Sequence, residues 1–170
     1  EFVDKKIDLI VIAVASKGIE WATKELRIIL KKNIPILVLT KGLAISKNSY
    51  EVLAHKIKRL LKNHGINKSN ITAAGGPCLA RGLSNRVHTS VVFANENIKM
   101  ADWIAKLVST EYYHIFLSDD VIGVETCAAI KNIFSMAIGA AEGLSNTKLS
   151  LKNVKKAYLN TSASLIQQSI

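Results

Sequence analysis

Short apolar segments alternate with segments of helical periodicity through the first two thirds of the chain. Residues 7–15 and 34–40 are nearly continuous in Ile, Leu and Val, which is typical of strands buried on both faces. Shorter strands are predicted at 70–74, 89–94 and 114–117. Apolar residues at helical spacing predict helices over 17–32, 48–63 and 97–109, with Ser16 as the N-cap of the first. This alternation predicts an α/β fold: a mostly parallel, doubly wound sheet with helices on both faces.

The pattern changes near residue 118, after which no strand is predicted. Asp119 or Asp120 can cap a long helix from Val121 to about Glu142, which Gly143 would end. Another helix is predicted to start near Ser150. We therefore expect two regions, 1–117 with the sheet and 118–170 as the beginning of a helical domain. The chain starts almost directly in a strand and stops within a helical pattern, so we expect a piece of a longer protein.

The net charge of +10 raises the question of a nucleic-acid partner. Nineteen of the 23 basic residues are Lys, and they are scattered along the chain. The densest cluster, Lys56, Lys58, Arg59 and Lys62, falls on one predicted amphipathic helix and is interpreted as its solvated face. Aromatic residues make up 6% of the chain and do not interleave with the basic ones, as a base-stacking surface would need. We expect no nucleic-acid binding.

Two cysteines, Cys78 and Cys127, lie far apart and form no CxxC or Cys/His cluster. We therefore expect reduced thiols, no metal site and a cytoplasmic protein. Residues 1–6 are charged and Asp8 interrupts the first apolar segment, so no signal peptide is predicted. The long apolar stretch 121–144 contains Glu125, Lys131 and Glu142, and it is not expected to span a membrane.

Unusual residues follow three of the predicted strands. The first strand ends in the small residues 13–16, the second in Thr40-Lys41-Gly42, and the third in the turn 75–78 (Gly-Gly-Pro-Cys). Parallel strands present their carboxyl ends at one edge of a sheet, where ligands bind. Together these residues offer close approach, one cation and open backbone N–H groups, which suits an anionic ligand.

Lys131 is predicted to share a helix face with apolar residues, among them Val124, Ala128 and Phe134. Burial disfavours an ammonium and can turn lysine into a general base. Such a side chain would need an acceptor, and Glu125 lies on the same side two turns before Asn132. A lysine that reaches solvent or forms a salt bridge explains the same pattern, so periodicity alone leaves both interpretations open.

The order of four motifs resembles the NAD(P)-dependent glycerol-3-phosphate dehydrogenase family. Residues 118–132 (SDDVIGVETCAAIKN) resemble its DVIGVE…ALKN signature. Upstream, residues 8–16 (DLIVIAVAS) resemble its DLIVIAVPS strand, 39–42 (LTKG) its TKG turn, and 76–80 (GPCLA) its GPSFA loop. The resemblance covers about the whole chain. It implies a partial Rossmann domain followed by the start of an all-helical substrate domain.

The resemblance also implies a reaction and a set of site residues. The family interconverts sn-glycerol 3-phosphate and dihydroxyacetone phosphate with NAD or NADP and supplies glycerol 3-phosphate for glycerophospholipid synthesis. Lys131 matches the catalytic proton acceptor, and Lys41 matches a second catalytic lysine that touches cofactor and substrate. Cofactor positions are Ala13, Ser16, Lys41 and Ala80; substrate positions are Lys41, Gly76, Cys78, Lys131 and Asn132. The family is often homodimeric.

Departures from the family pattern are Ala15 for the usual Pro and Cys78 for the usual Ser. The Gly-rich dinucleotide turn should lie before Glu1, and the Arg-Asn phosphate clamp after Ile170. We therefore expect the 170 residues alone to be inactive. Rival interpretations are another two-domain hydroxyacid-type dehydrogenase such as a ketopantoate reductase, and a non-catalytic Rossmann-like binding protein.

Overall fold

The computed structural model describes residues 7–30 and 33–144, with side chains through residue 139. The helix predicted near Ser150 lies outside these residues. The strands are β1 (Ile10–Ile12), β2 (Ile36–Val38), β3 (Leu43–Ser46), β4 (Ser49–Val52), β5 (Ile71–Gly75), β6 (Thr89–Ala94) and β7 (Tyr113–Ser118). The helices are α1 (Ile19–Ile29), α2 (Leu53–Asn63), α3 (Ala80–Ser84), α4 (Ile98–Val108) and α5 (Val121–Leu144).

Five strands form one sheet in the order β1-β2-β5-β6-β7. β1, β2 and β5 are parallel to one another, and β6 and β7 are parallel to each other. β6 is antiparallel to β5, with Ala73 opposite Ala94 and Gly75 opposite Val92. The predicted α/β class with a mostly parallel sheet is confirmed. Because β6 is reversed relative to β5, Ser118 at the end of β7 lies opposite Ala94, which in turn lies opposite Ala73 in the middle of β5.

Two apolar clusters cover the two faces of the sheet, as predicted. Ile19 of α1 and Ile57 and Leu61 of α2 are fully buried against one face. Phe93 of β6 and Ile104 of α4 are fully buried on the other. Successive side chains of each strand point to opposite faces of the sheet and so contribute to both apolar clusters. This explains the near-continuous apolar runs in the sequence.

The prediction of a helix beginning at residue 48 is wrong, because residues 43–52 form the β3–β4 hairpin. Lys47 and Asn48 have φ of 48° and 65°, and they form its two-residue turn between the paired residues Ser46 and Ser49. Two successive left-handed residues suit a tight hairpin turn, and Asn tolerates this conformation. The helix α2 therefore begins only at Leu53. The short helix α3 was not predicted either.

The N-cap assigned to Ser16 is also wrong. Ser16 opens a 3-10 turn that ends at Gly18, and α1 begins at Ile19 with no side-chain cap. By contrast, Asp120 does cap α5, because its Oδ1 accepts a hydrogen bond of 2.8 Å from the N–H of Gly123.

Three of the four basic residues in the α2 cluster are paired with acids. Lys56 contacts Glu20 at 2.8 Å, Lys58 contacts Glu96 at 2.8 Å, and Arg59 contacts Glu51 at 2.7 Å. Exposed pairs of this kind contribute little to stability, but they neutralise much of the face that could have attracted phosphates.

The helix α5 leaves the end of β7 and packs along β5. A Cβ added at Gly75 would lie 2.5 Å from a γ-methyl of Val124, so only glycine allows this approach. By length and composition alone, Val121–Gly139 passes the test for a membrane span, a test that buried core helices also pass. Its first turns contribute Val121, Val124 and Ala128 to the core.

Candidate active site

The carboxyl ends of β1, β2 and β5 lie at the same edge of the sheet, because these neighbours are parallel. Thr40, just after β2, donates a 2.7 Å hydrogen bond from Oγ1 to the carbonyl of Val14, just after β1. A Cβ added at Gly42 would lie 3.7 Å from the Cβ of Ser16. The two predicted strand-end segments are therefore in contact. Thr40 was not singled out from the sequence, although its position after a buried strand could have signalled it.

Lys41 is half-buried at this edge. Its pKa is lowered from the ordinary value, first by burial and then by the positive charge of Lys131, while Cys78 opposes the change. These three residues come from three separate segments of the chain. The structure thus brings together the strand-end lysine, the helix lysine and the turn cysteine that were predicted from the sequence.

The turn after β5 lies at the same edge of the sheet and begins with a glycine in the left-handed region. Gly76 is buried with φ of 109°, a conformation that only glycine adopts readily. Cys78 is half-buried and packs with the cluster that contains Tyr113, and no disulfide joins it to Cys127. Burial raises the pKa of Tyr113 to about 12, and Cys78 contributes to this increase.

The other predicted contacts lie on neighbouring segments. Ala13 and Ser16 are exposed after β1, and Ala80 is exposed as the first residue of α3. Lys131 is half-buried on α5, whereas Asn132 is exposed. The burial expected of Lys131 is therefore partial, and the amine whose pKa burial lowers is Lys41.

Glu125 has a different partner from the one expected. It is 5% exposed, and its Oε2 accepts a 2.9 Å hydrogen bond from the backbone N–H of Ala54 in the first turn of α2. The sequence placed Glu125 on the same side of the helix as Asn132, and the hydrogen bond that the structure gives its carboxylate is to α2. Burial raises the pKa of Glu125 to about 7, although the backbone N–H groups of Ala54 and Leu53 act in the opposite direction.

No group of three or more His, Cys, Asp or Glu side chains among residues 7–30 and 33–139 is placed to hold a metal ion. The chemistry available here is that of two amines and one thiol beside a glycine turn. Such a set can bind an anion and exchange a proton with it.

The sheet, the glycine turn at its edge and the helix that carries a lysine to that edge define a Rossmann-like α/β protein joined to a helical region. Two family matches narrow this class. Residues 3–101 match the N-terminus of NAD-dependent glycerol-3-phosphate dehydrogenase, and residues 120–170 match its C-terminus. The chain belongs to this family, as its motifs predicted.

Individual relatives agree with the family match. The chain is 31% identical over 148 residues to glycerol-3-phosphate dehydrogenase [NAD(P)+] of Clostridium tetani, covering 85% of this chain and 40% of the relative. It is 30% identical over 137 residues to the NADP(+)-dependent glycerol-3-phosphate dehydrogenase of Archaeoglobus fulgidus, covering 78% of this chain and 40% of the relative. The chain thus spans about 40% of the length of these curated relatives.

A solved structure agrees with the fold. Glycerol-3-phosphate dehydrogenase from Coxiella burnetii superposes with a TM-score of 0.67 at 26% identity, covering 96% of this chain and 44% of that one. The family match also disfavours the two rival interpretations, the ketopantoate-type reductase and the non-catalytic binding protein.

Proposed function

We propose that this chain forms part of an enzyme that interconverts sn-glycerol 3-phosphate and dihydroxyacetone phosphate by hydride transfer with NAD or NADP. The supporting observation is that Lys41 and Lys131 come close enough at the strand edge for one charge to lower the pKa of the other. The relatives carry NAD(P)+ and NADP(+) in their names, which supports either cofactor.

Two neighbouring ammonium groups repel each other unless an anion lies near them. Both substrates carry a phosphate, and a bound anion at this edge would relieve the repulsion. The same two amines can act on the oxygen at the reacting carbon. The lysine pair therefore favours a small phosphorylated substrate over an uncharged one.

The residues present fit a nicotinamide cofactor. Ala13, Ser16 and Ala80 have small, exposed side chains, and the neighbouring turn begins with Gly76, which has no side chain. We propose Ala13, Ser16, Lys41 and Ala80 as the cofactor contacts within this chain. When bound, the cofactor supplies or accepts the hydride.

Lys131 is proposed as the general base. In its neutral form it accepts the proton of the C2 hydroxyl of glycerol 3-phosphate, and in the reverse direction its ammonium protonates the carbonyl oxygen of dihydroxyacetone phosphate. The nearby ammonium of Lys41 would stabilise negative charge on the substrate oxygen. Gly76, Cys78 and Asn132 are proposed to orient the substrate.

The experiment replaces Lys131 with methionine in the protein expressed from its complete gene. Dihydroxyacetone phosphate-dependent oxidation of NADH and NADPH is followed by absorbance. Loss of a general base should lower kcat about 10²- to 10⁴-fold, with cofactor Kd nearly unchanged. Lys106→Met is the matched control, because Lys106 is exposed on α4 and pairs with Asp102.

An unchanged kcat in Lys131→Met would remove this lysine from the reaction. Failure of the unaltered protein to use dihydroxyacetone phosphate, with turnover of ketopantoate instead, would overturn the proposed substrate. The phospholipid role, a cytoplasmic location, a homodimer, a domain boundary near residue 118 and the absence of a membrane span stay predictions.

A further inference from the structure

Glu125 belongs to α5, the helix that carries Lys131, but its carboxylate is used by a different element. It is nearly fully buried and accepts the 2.9 Å hydrogen bond from the backbone N–H of Ala54. The two residues are 71 positions apart in sequence. A buried acceptor of this kind fixes the distance between the two elements it joins.

The first turn of α2 has no cap of its own. Val52 occupies the N-cap position and makes no side-chain hydrogen bond. The first N–H groups of a helix lack partners within the helix and need an acceptor from elsewhere. Glu125 of α5 therefore provides the hydrogen-bond acceptor for the first turn of α2 that Val52 does not provide.

This contact joins the two segments that carry the candidate lysines. Lys41 precedes the β3–β4 hairpin, which leads directly into α2. Lys131 follows Glu125 by six residues, about 9 Å along a helix at 1.5 Å per residue. Val124, the residue before Glu125 on α5, packs against Gly75 at the end of β5.

We propose that Glu125 is a positioning residue, which holds Lys131 opposite Lys41 by capping α2 from α5. The role in catalysis rests on the proposed function, whereas the cap itself does not. Val124 against Gly75 fixes how closely α5 approaches the sheet, and the cap fixes its rotation and height relative to α2. Loss of the cap leaves the packing contact in place but allows Lys131 to shift.

The test uses four variants of the protein expressed from its complete gene. Glu125→Leu keeps the bulk and removes the acceptor, Glu125→Asp draws the carboxylate back by one methylene, and Glu125→Gln keeps one acceptor oxygen. Val121→Ala is the control, because Val121 is buried one turn before Glu125 on the same helix, and its replacement weakens packing while the carboxylate stays in place. Turnover, cofactor Kd and amide hydrogen exchange are measured for each.

In Glu125→Leu and Glu125→Asp, kcat should fall about 10- to 100-fold, as expected for a misplaced catalytic group, with cofactor Kd little changed. The kcat of Glu125→Gln should stay within about threefold of that of the unaltered protein, because an acceptor oxygen remains. Exchange at the Leu53 and Ala54 amides should quicken in the first two variants only. Val121→Ala should be less stable yet keep kcat.

Two results would overturn the inference. One is that kcat falls equally in Val121→Ala and Glu125→Leu, since the loss would then follow stability alone. The other is that the Leu53 and Ala54 amides stay protected in Glu125→Leu or, where that variant does not fold, in Glu125→Asp. If the unaltered protein does not use dihydroxyacetone phosphate, the proposed function fails separately, and the exchange data still decide whether the cap exists.

Discussion

Replacing Glu125 with glutamine should change how the stability of the protein depends on pH. The folded protein raises the pKa of this buried carboxyl from 4.5 to about 7. The folded state therefore keeps the proton up to about pH 7, while the unfolded chain loses it near pH 4.5. The contribution of Glu125 to stability is fully present below pH 4.5 and is lost as pH rises through 7.

The size of this effect follows from the two pKa values. At about 1.4 kcal/mol for each pH unit, the difference between 4.5 and about 7 amounts to about 3 kcal/mol of unfolding free energy. Glutamine cannot ionise, so Glu125→Gln should lose this pH dependence. Above pH 7 it should be more stable than the unaltered protein by up to about 3 kcal/mol, because no charge is buried.

The assay is urea unfolding followed by circular dichroism between pH 5 and pH 8, on the protein expressed from its complete gene. Glu96→Gln is the matched control, because Glu96 is an exposed acid paired with Lys58. If Glu125→Gln and the unaltered protein lose stability in parallel as pH rises, the carboxyl is not desolvated and the argument is refuted.

Three further outcomes are expected. Gly75→Ala should lower the unfolding free energy by about 1–3 kcal/mol through overpacking against α5, whereas Gly139→Ala, which meets nothing within 4 Å, should not; equal melting temperatures would contradict the close approach. Lys131→Met should raise the pKa of Lys41, because a repelling charge is lost. The pH dependence of acetylation at Lys41 measures this pKa; an unchanged dependence would show that Lys131 does not affect Lys41. Asn95, buried just after β6, donates a 2.7 Å hydrogen bond to Thr72 Oγ1 and accepts a 2.8 Å one from the N–H of Asn97. Asn95→Ala should therefore cost about 1–3 kcal/mol in urea unfolding; an unchanged unfolding free energy would contradict this.

The candidate site was predictable where it depends on a general property of parallel sheets. Lys41 follows β2 and Cys78 follows β5, and the carboxyl ends of parallel neighbours must meet at one edge. Lys131 was found from its apolar helix face and from a motif. The apolar pattern does not predict that Lys131 lies near Lys41, because periodicity does not determine how far a helix extends beyond a sheet.

Other features depend on contacts between residues far apart in sequence. The hairpin at 43–52 was missed because its alternation is short and the following helix is strongly amphipathic. The reversed direction of β6 is not encoded in the apolar pattern of residues 89–94, since a buried strand has the same composition in either direction. Glu125 was recognised as an acid in an apolar helix, but its partner on α2 could not be inferred from spacing.

The contact between Val124 and Gly75 makes the spacing along α5 a fixed quantity. It holds α5 at the carboxyl end of β5, and Lys131 lies seven residues farther along the helix, about 10 Å at 1.5 Å per residue. Removing one residue between them would shorten that reach and turn the amine by about 100° around the helix. Relatives that keep this chemistry should therefore vary in side chains along this segment but not in its length.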